Sequence, residues 1–206
     1  MGKLRRQLRS RFGESVQELS LIWDENTVTT LLSFIKPVHV LEVGTHRGGS
    51  SALFAACGAR VTTVDKDVYP LADEVWDFLG LAGKIQRRVV ASESEKHALI
   101  ASTAFDFALL DAAKGHIGEQ DFHALSRCQC VLMRDYTPEG PLAAGCQHRR
   151  KPEWVAFIDS LKPAPFIFGY RCSMLALWLG ETSPQRDNAA LIAWLTRDSR
   201  ITEQPD

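Results

Sequence analysis

The sequence predicts an α/β fold: a doubly wound, mostly parallel sheet with helices on both faces and an antiparallel C-terminal hairpin. Three observations predict it. Short apolar runs alternate with segments of helical periodicity over residues 38–134, the pattern of strands joined by helical crossovers. The first of these strands runs into a glycine-rich turn that opens a helix. Near the C-terminus, Pro165–Tyr170 and Ser173–Leu179 lie too close in sequence for a crossover, so they read as a hairpin.

Each element follows from its pattern. Residues 14–36 place Val16, Leu19, Ile22, Trp23, Val28, Leu31, Leu32 and Ile35 at helical spacing, and Pro37 stops that helix. Val38–Val43 is a buried strand, Ser50–Cys57 a helix of small residues, and Arg60–Val64 the second strand. Leu71–Leu79 is a helix with Gly80 and Gly83 near its end. A strand Ile85–Val90, a short helix Glu93–Ala101 and the aromatic strand Phe105–Leu110 follow. Then come a helix Glu119–Ser126, a strand Cys130–Arg134, a loop Pro138–Pro152 and a helix Trp154–Leu161. Ser183-Pro184 offers an N-cap and a first-turn proline for a last helix reaching Arg197.

Composition sets the class. At 206 residues, 45% hydrophobic and 24% charged, the chain suits one soluble globular domain with a sizeable core. That domain divides into a basic arm and helical cap at 1–36, a core at 37–180, and a C-terminal helix and tail at 181–206. No apolar run reaches the ~18 residues of a membrane span. Gly13, Glu14, Gln17 and Glu18 interrupt the place where a signal peptide needs its apolar stretch. Arg6 stands where myristoylation prefers Ser or Thr. The five cysteines, Cys57, Cys128, Cys130, Cys146 and Cys172, lack a disulfide or zinc spacing, so reduced thiols and a cytoplasmic location are expected. The net charge of -1 conceals five basic residues and no acid in residues 1–11. This arm is expected to stay mobile and solvated, the alternatives being that it borders the substrate entrance or packs on an acidic partner subunit.

The turn after the first strand reads Glu42-Val43-Gly44-Thr45-His46-Arg47-Gly48-Gly49-Ser50. Such a turn lets backbone approach a ligand and aims amide groups at it. Asp65 ends the next strand, where a carboxylate can accept from both ribose hydroxyls. A nicotinamide site prefers G-x-G-x-x-G, but His46 replaces the middle glycine. Glu42 gains nothing from a diphosphate, whereas an acid there suits a cationic group such as a sulfonium. Together these features point to S-adenosylmethionine.

Two strand tips carry acids. Asp111 closes the apolar run from Phe105, and Asp135 ends the next strand. Neighbouring carboxylates can share a divalent ion, and Mg²⁺ suits such a site because it keeps positions for substrate oxygens. Lys114 could then take the acceptor's proton, and on this reading chelation abolishes turnover. Without a metal, Asp111 orients cofactor or substrate, and Asp135 caps a loop. His116, on the same loop, is an alternative base. Cys57 and Cys172 read as small buried apolar residues.

These segments resemble class I S-adenosylmethionine-dependent methyltransferases, closest to the catechol and caffeoyl-coenzyme A O-methyltransferase group, with its Rossmann-like sheet. The similarity runs from Val38 to Tyr136 through Leu41-Glu42-Val43-Gly44, Gly48-Gly49-Ser50, Val64-Asp65, Val90-Ala91-Ser92-Glu93, Leu110-Asp111-Ala112-Ala113-Lys114 and Leu132-Met133-Arg134-Asp135. It implies that Glu42, Gly44, His46 and Ser50 line the methionine end of the cofactor and that Gly48 belongs to the cofactor site, with His46 alternatively a mere exposed turn residue. It further implies that Asp65 binds the ribose, that Ser92 and Glu93 flank the adenine, and that Asp111 belongs to the cofactor site as well. It implies Asp111 and Asp135 as Mg²⁺ ligands and Lys114 as base. Ser92 has a second reading as a helix cap, with Glu95 completing a box. The chain departs from the group at Tyr136, commonly Asn, and at Ala113, acidic in many relatives.

The implied activity is methyl transfer to a small-molecule hydroxyl, with Mg²⁺ assistance an even alternative to none. Competing readings are a metal-independent methyltransferase on another acceptor, nucleic acid included, and a cofactor-binding protein without chemistry. Asp111-Ala112-Ala113-Lys114 is not the N/D-P-P-Y/F motif of base-amine methylation, so nucleic acid is not the expected partner. A homodimer is left open. Pro138–Pro152 is expected to wall the acceptor site, with Arg149, Arg150 and Lys151 either attracting an anion or simply solvated.

Overall fold

The computed structural model describes residues 2–13, 21, 24–111, 115–125, 127–137, 151–170 and 173–197. Over these the chain forms a seven-stranded mixed sheet, mostly parallel, with antiparallel C-terminal strands. It divides into two compact units, Met1–Lys96 and His97–Asp206.

The first unit holds α1 (Lys3–Phe12), α2 (Glu25–Ile35), β1 (His39–Val43), α3 (Gly49–Ala56), β2 (Arg60–Asp65), α4 (Pro70–Phe78) and β3 (Ile85–Val89). The strands run in the order β3-β2-β1, all parallel. His39 pairs with Arg60 and Val43 with Val64, so Gly44 and Asp65 leave their strands at one level. Val40, Leu41, Glu42 and Val43 are all buried, as a central parallel strand covered on both faces requires.

The basic arm is a helix. Leu4 and Leu8, one turn apart, are buried between the arginines, and burying a leucine contributes about 2 kcal/mol. The amide groups of Leu4 and Arg5 donate to the two carboxylate oxygens of Glu25, at 2.8 and 2.9 Å. An acid from α2 thus satisfies the positive end of α1, where an anion is favoured. The mobile, solvated arm expected from charge alone is therefore corrected for residues 3–12. The long helix expected over 14–36 is present as Glu25–Ile35, and residues 14–20 and 22–23 lie outside the described residues. It ends at Lys36, which adopts a left-handed conformation (φ 51°) ahead of Pro37.

The second unit holds the greater part of α5 (Glu93–Ser102), then β4 (Phe107–Leu110), α6 (His116–Ala124), β5 (Cys130–Tyr136), α7 (Pro152–Ser160), β6 (Phe166–Tyr170), β7 (Ser173–Leu179) and α8 (Ala189–Arg197). Its strands run β4-β5-β7-β6. β4 and β5 are parallel, and the hairpin β6–β7 closes the edge with β7 antiparallel to both β5 and β6. His97 Nε2 meets Asp121 Oδ1 at 2.9 Å and ties α5 to α6. Phe122 lies edge-on to Phe157 and Trp178 at 5.4 and 5.1 Å, which packs α6 on α7 and the hairpin.

The C-terminal helix differs from expectation at its start. Ser183 Oγ accepts from Gln185 N at 3.3 Å, but this caps a single 3₁₀ turn, Pro184–Asp187. The helix proper begins at Ala189, with Asn188 Oδ1 accepting from Leu191 N at 3.1 Å. Pro152, expected at the end of a loop, opens α7 at its first turn. Among the described residues no helix is long and apolar enough to cross a membrane.

Candidate functional site

In the first unit, β1 hands over to a turn that the sheet itself clamps. Gly44, at φ 105°, donates from its amide to Val64 O at 2.8 Å. Asp65 Oδ2 accepts from the amides of Thr45 and His46 at 2.9 and 3.2 Å, and Oδ1 from Lys66 and Asp67 at 2.8 and 3.3 Å. Thr45 Oγ1 and Thr63 Oγ1 share a 2.7 Å hydrogen bond. His46 holds a left-handed conformation (φ 42°) and meets Tyr69 edge-on, ring centroids 5.4 Å apart. Desolvation raises the Tyr69 pKa, and the negative charges of Asp65 and Asp67 add to the shift.

Gly48 closes the turn and starts α3. Its φ is 75°, and its carbonyl accepts from Trp76 Nε1 at 3.0 Å. A Cβ at this position would meet Trp76 Nε1 at 2.5 Å, so backbone conformation and packing both demand glycine. Glu42 is wholly buried and accepts from the Ser51 hydroxyl. A buried carboxylate is costly unless charge or hydrogen bonds compensate it. Ser50 is 1% exposed, and its Oγ finds no hydrogen-bond partner among the described residues. A buried acid, a buried hydroxyl with unused capacity and a left-handed glycine turn suit a ligand with a cationic, hydrogen-bonding end. The residues therefore fit the methionine end of S-adenosylmethionine.

Asp65 fits less simply. A carboxylate offers about four acceptor sites, and four backbone amides already use them. At the start of α5, Ser92 Oγ accepts from Glu95 N at 3.2 Å, and Glu95 Oε2 accepts from Ala91 N at 2.7 Å. This is the reciprocal cap that the spacing predicts, displaced by one residue on the return bond. Glu93 pairs with Lys96 at 2.5 Å. Ser92 and Glu93 are both exposed.

In the second unit, the strand-tip acids have unlike surroundings. β4 and β5 pair Leu110 with Met133, which sets Asp111 level with Arg134 and not with Asp135. Arg134 Nη1 lies 3.3 and 3.2 Å from the two Asp111 oxygens. The side chains are 9% exposed for Asp111 and 15% for Arg134. β5 pairs Met133 with Ala176 but Tyr136 with Met174, so β5 carries one extra residue there. Asp135, with φ 61°, sits in this bulge. Trp154 Nε1 on α7 donates to Arg134 O at 2.8 Å, and the Tyr136 hydroxyl donates to Asp159 at 2.9 Å. Tyr136 thus directs its hydroxyl to α7. This arrangement does not fit a shared Mg²⁺, because one of the two carboxylates is already held by a guanidinium.

Lys114 lies outside the described residues, as do Arg149, Arg150, Cys146 and Cys172. His116 is 77% exposed at the start of α6, its Nε2 3.0 Å from Gln120 Nε2. It stands exposed on α6, its Nδ1 4.0 Å from Glu119 Oε2. Cys57, expected to be buried, is exposed, although its thiol bonds Thr29 and desolvation raises its pKa. Cys128 and Cys130 are buried. Burial pushes Cys128 up to about 11 and Cys130 well above its usual range. Cys128 Sγ donates to Cys130 O at 3.3 Å. Sequence reasoning missed two residues here, Trp76 and Arg134. Arg134 was legible only as the neighbour of Asp135, because its partnership with Asp111 depends on strand register.

The fold is one shared with solved structures of S-adenosylmethionine-dependent O-methyltransferases. Three solved structures illustrate the likeness. A Staphylococcus aureus protein assigned as a caffeoyl-CoA O-methyltransferase matches with a TM-score of 0.66 at 15% identity, over 87% of this chain and 93% of its own. An O-methyltransferase from Bacillus cereus, in complex with S-adenosylhomocysteine, gives 0.61 at 15% identity, over 85% and 90%. A methyltransferase from Podospora anserina, also with S-adenosylhomocysteine bound, gives 0.59 at 14% identity, over 86% of each chain. No family model matches the sequence, and no curated protein matches it.

Proposed function

We propose that this chain is an S-adenosylmethionine-dependent methyltransferase acting, as one domain, on a hydroxyl group of a small molecule. The observation that carries this reading is the buried Glu42 carboxylate at the foot of a left-handed glycine turn, on a fold shared with enzymes that hold S-adenosylhomocysteine. Glu42 and the Ser50 hydroxyl would hold the methionine end, and the Gly44–Gly48 turn with His46 would bring backbone against it. Asp65 would face the ribose hydroxyls by yielding its longest amide contacts, those of His46 and Asp67. Ser92 and Glu93 would flank the adenine.

When bound, the cofactor supplies a methyl group on a positive sulfur. The chain's own work is to hold the acceptor hydroxyl in line with that methyl and to accept its proton. Positioning of reacting atoms at roughly 3–3.5 Å accounts for much of such a rate enhancement. We assign proton acceptance to Lys114, three residues beyond Asp111 in the sequence, a role that requires its amine in the neutral form. A small-molecule acceptor and a cytoplasmic location accord with the fold and with the buried thiols of Cys128 and Cys130.

Calorimetric titration tests the reading. S-adenosylhomocysteine is expected to release heat on binding, and NAD is not. No heat with S-adenosylhomocysteine would overturn the assignment, and methyl transfer to hydroxyl-bearing aromatic probes would extend it from binding to catalysis.

A further inference from the structure

We propose that Arg134 takes the electrostatic place of a divalent cation at the tips of β4 and β5, so that this chain holds no metal ion at Asp111 and Asp135. The metal-binding half of the statement stands on the second unit alone. Its consequence for catalysis rests on the methyltransferase reading above.

The register carries the argument. Parallel pairing of Leu110 with Met133 puts the next residues, Asp111 and Arg134, abreast on one face. Asp135 comes one residue later, inside the β5 bulge and in a left-handed conformation. Both Asp111 oxygens lie within 3.3 Å of a single Arg134 nitrogen. At 9% and 15% side-chain exposure, water screens this pair poorly, so separating the charges is costly. A guanidinium keeps its charge at every pH at which a protein folds. A divalent ion at Asp111 would have to displace that charge or sit against it.

The neighbouring residues agree. Trp154 on α7 fixes the Arg134 carbonyl at 2.8 Å, which anchors the backbone from which the arginine reaches Asp111. Tyr136, following the second acid, gives its hydroxyl to Asp159. Position 113 is alanine and offers no side-chain ligand atom.

The substrate class follows. A metal in such a site orients two adjacent oxygens of one acceptor. With the positive charge built into the protein, chelation by paired oxygens gives no advantage. A catechol is therefore expected to have no preference as acceptor over its mono-hydroxyl analogue. Arg134 acts here as a positioning residue, through Asp111.

Manganese binding, followed by the electron paramagnetic resonance signal of free Mn²⁺, tests the proposal without any methyl transfer. The wild-type protein is expected to show no site tighter than millimolar that Asp111→Asn removes, with or without S-adenosylhomocysteine. Arg134→Met, checked for folding by circular dichroism, is expected to uncover a site at least tenfold tighter, lost again in the Arg134→Met/Asp111→Asn double variant. Arg134→Lys, which keeps the charge, is expected to leave the site closed. Micromolar Mn²⁺ binding by the wild type that Asp111→Asn abolishes overturns the proposal, as does a folded Arg134→Met with no gain. In turnover, excess EDTA is expected to leave the rate unchanged, and loss of activity in EDTA that Mn²⁺ restores also overturns it. Failure to bind S-adenosylhomocysteine is a separate result, which removes the catalytic consequence and leaves the manganese outcome readable.

Discussion

Gly48 shows how much one residue carries in this chain. Its positive φ, its carbonyl bond to Trp76 and the absence of room for a Cβ coincide at one atom pair. Gly48→Ala is therefore expected to cost about 2 kcal/mol or more in denaturant unfolding and to weaken S-adenosylhomocysteine binding along with it. The sequence displayed this glycine as part of a turn, but Trp76, 28 residues away, could not be read from it. Cys128 gives a second expectation at this scale. Burial pushes its pKa up to about 11 from an ordinary value of 9.0. The folded state therefore keeps a proton that the unfolded chain releases. The associated stability is complete below pH 9 and is lost as pH rises through about 11. Unfolding free energy measured across this window is expected to fall with pH, and Cys128→Ala is expected to flatten the fall.

At the level of elements, the termini of helices decide where the chain differs from its pattern. α1 was hidden because its charge is conspicuous and its buried apolar residues are only Leu4 and Leu8. Its N-terminal amides are satisfied by Glu25 from α2, a long-range cap with no local spacing signature. Glu25→Ala is expected to cost about 1–2 kcal/mol and to speed amide exchange at Leu4 and Arg5 well before the sheet exchanges. α8 teaches the complementary lesson. Ser183-Pro184 carries the stronger local cap signal, but the turn it starts ends at Asp187 and Asn188 caps the helix. Asn188→Ala is expected to cost about 1 kcal/mol, read as a lower urea midpoint. The hairpin was legible because two apolar runs so close in sequence have only one way to pair. That β7 would lie between β5 and β6 was not legible, since alternation does not fix which strand takes the edge.

Over the molecule as a whole, ligand linkage offers the broadest check. S-adenosylhomocysteine at a hundred times its dissociation constant is expected to raise the unfolding free energy by about 2.7 kcal/mol, while NAD at the same concentration raises it by nothing measurable. By itself the sequence determined the α/β alternation, the glycine turn, the acids at strand ends and the group of folds they resemble. Those are properties of local spacing, and spacing is what a chain writes plainly. Tertiary structure alone decided what the acids touch. Asp65, expected to bind ribose hydroxyls, clamps the backbone at Thr45 and His46, and Asp111 meets Arg134 because the register of β4 on β5 sets them level. A carboxylate's partners are fixed by pairing across strands and by a single bulge, and neither leaves a mark in the order of residues.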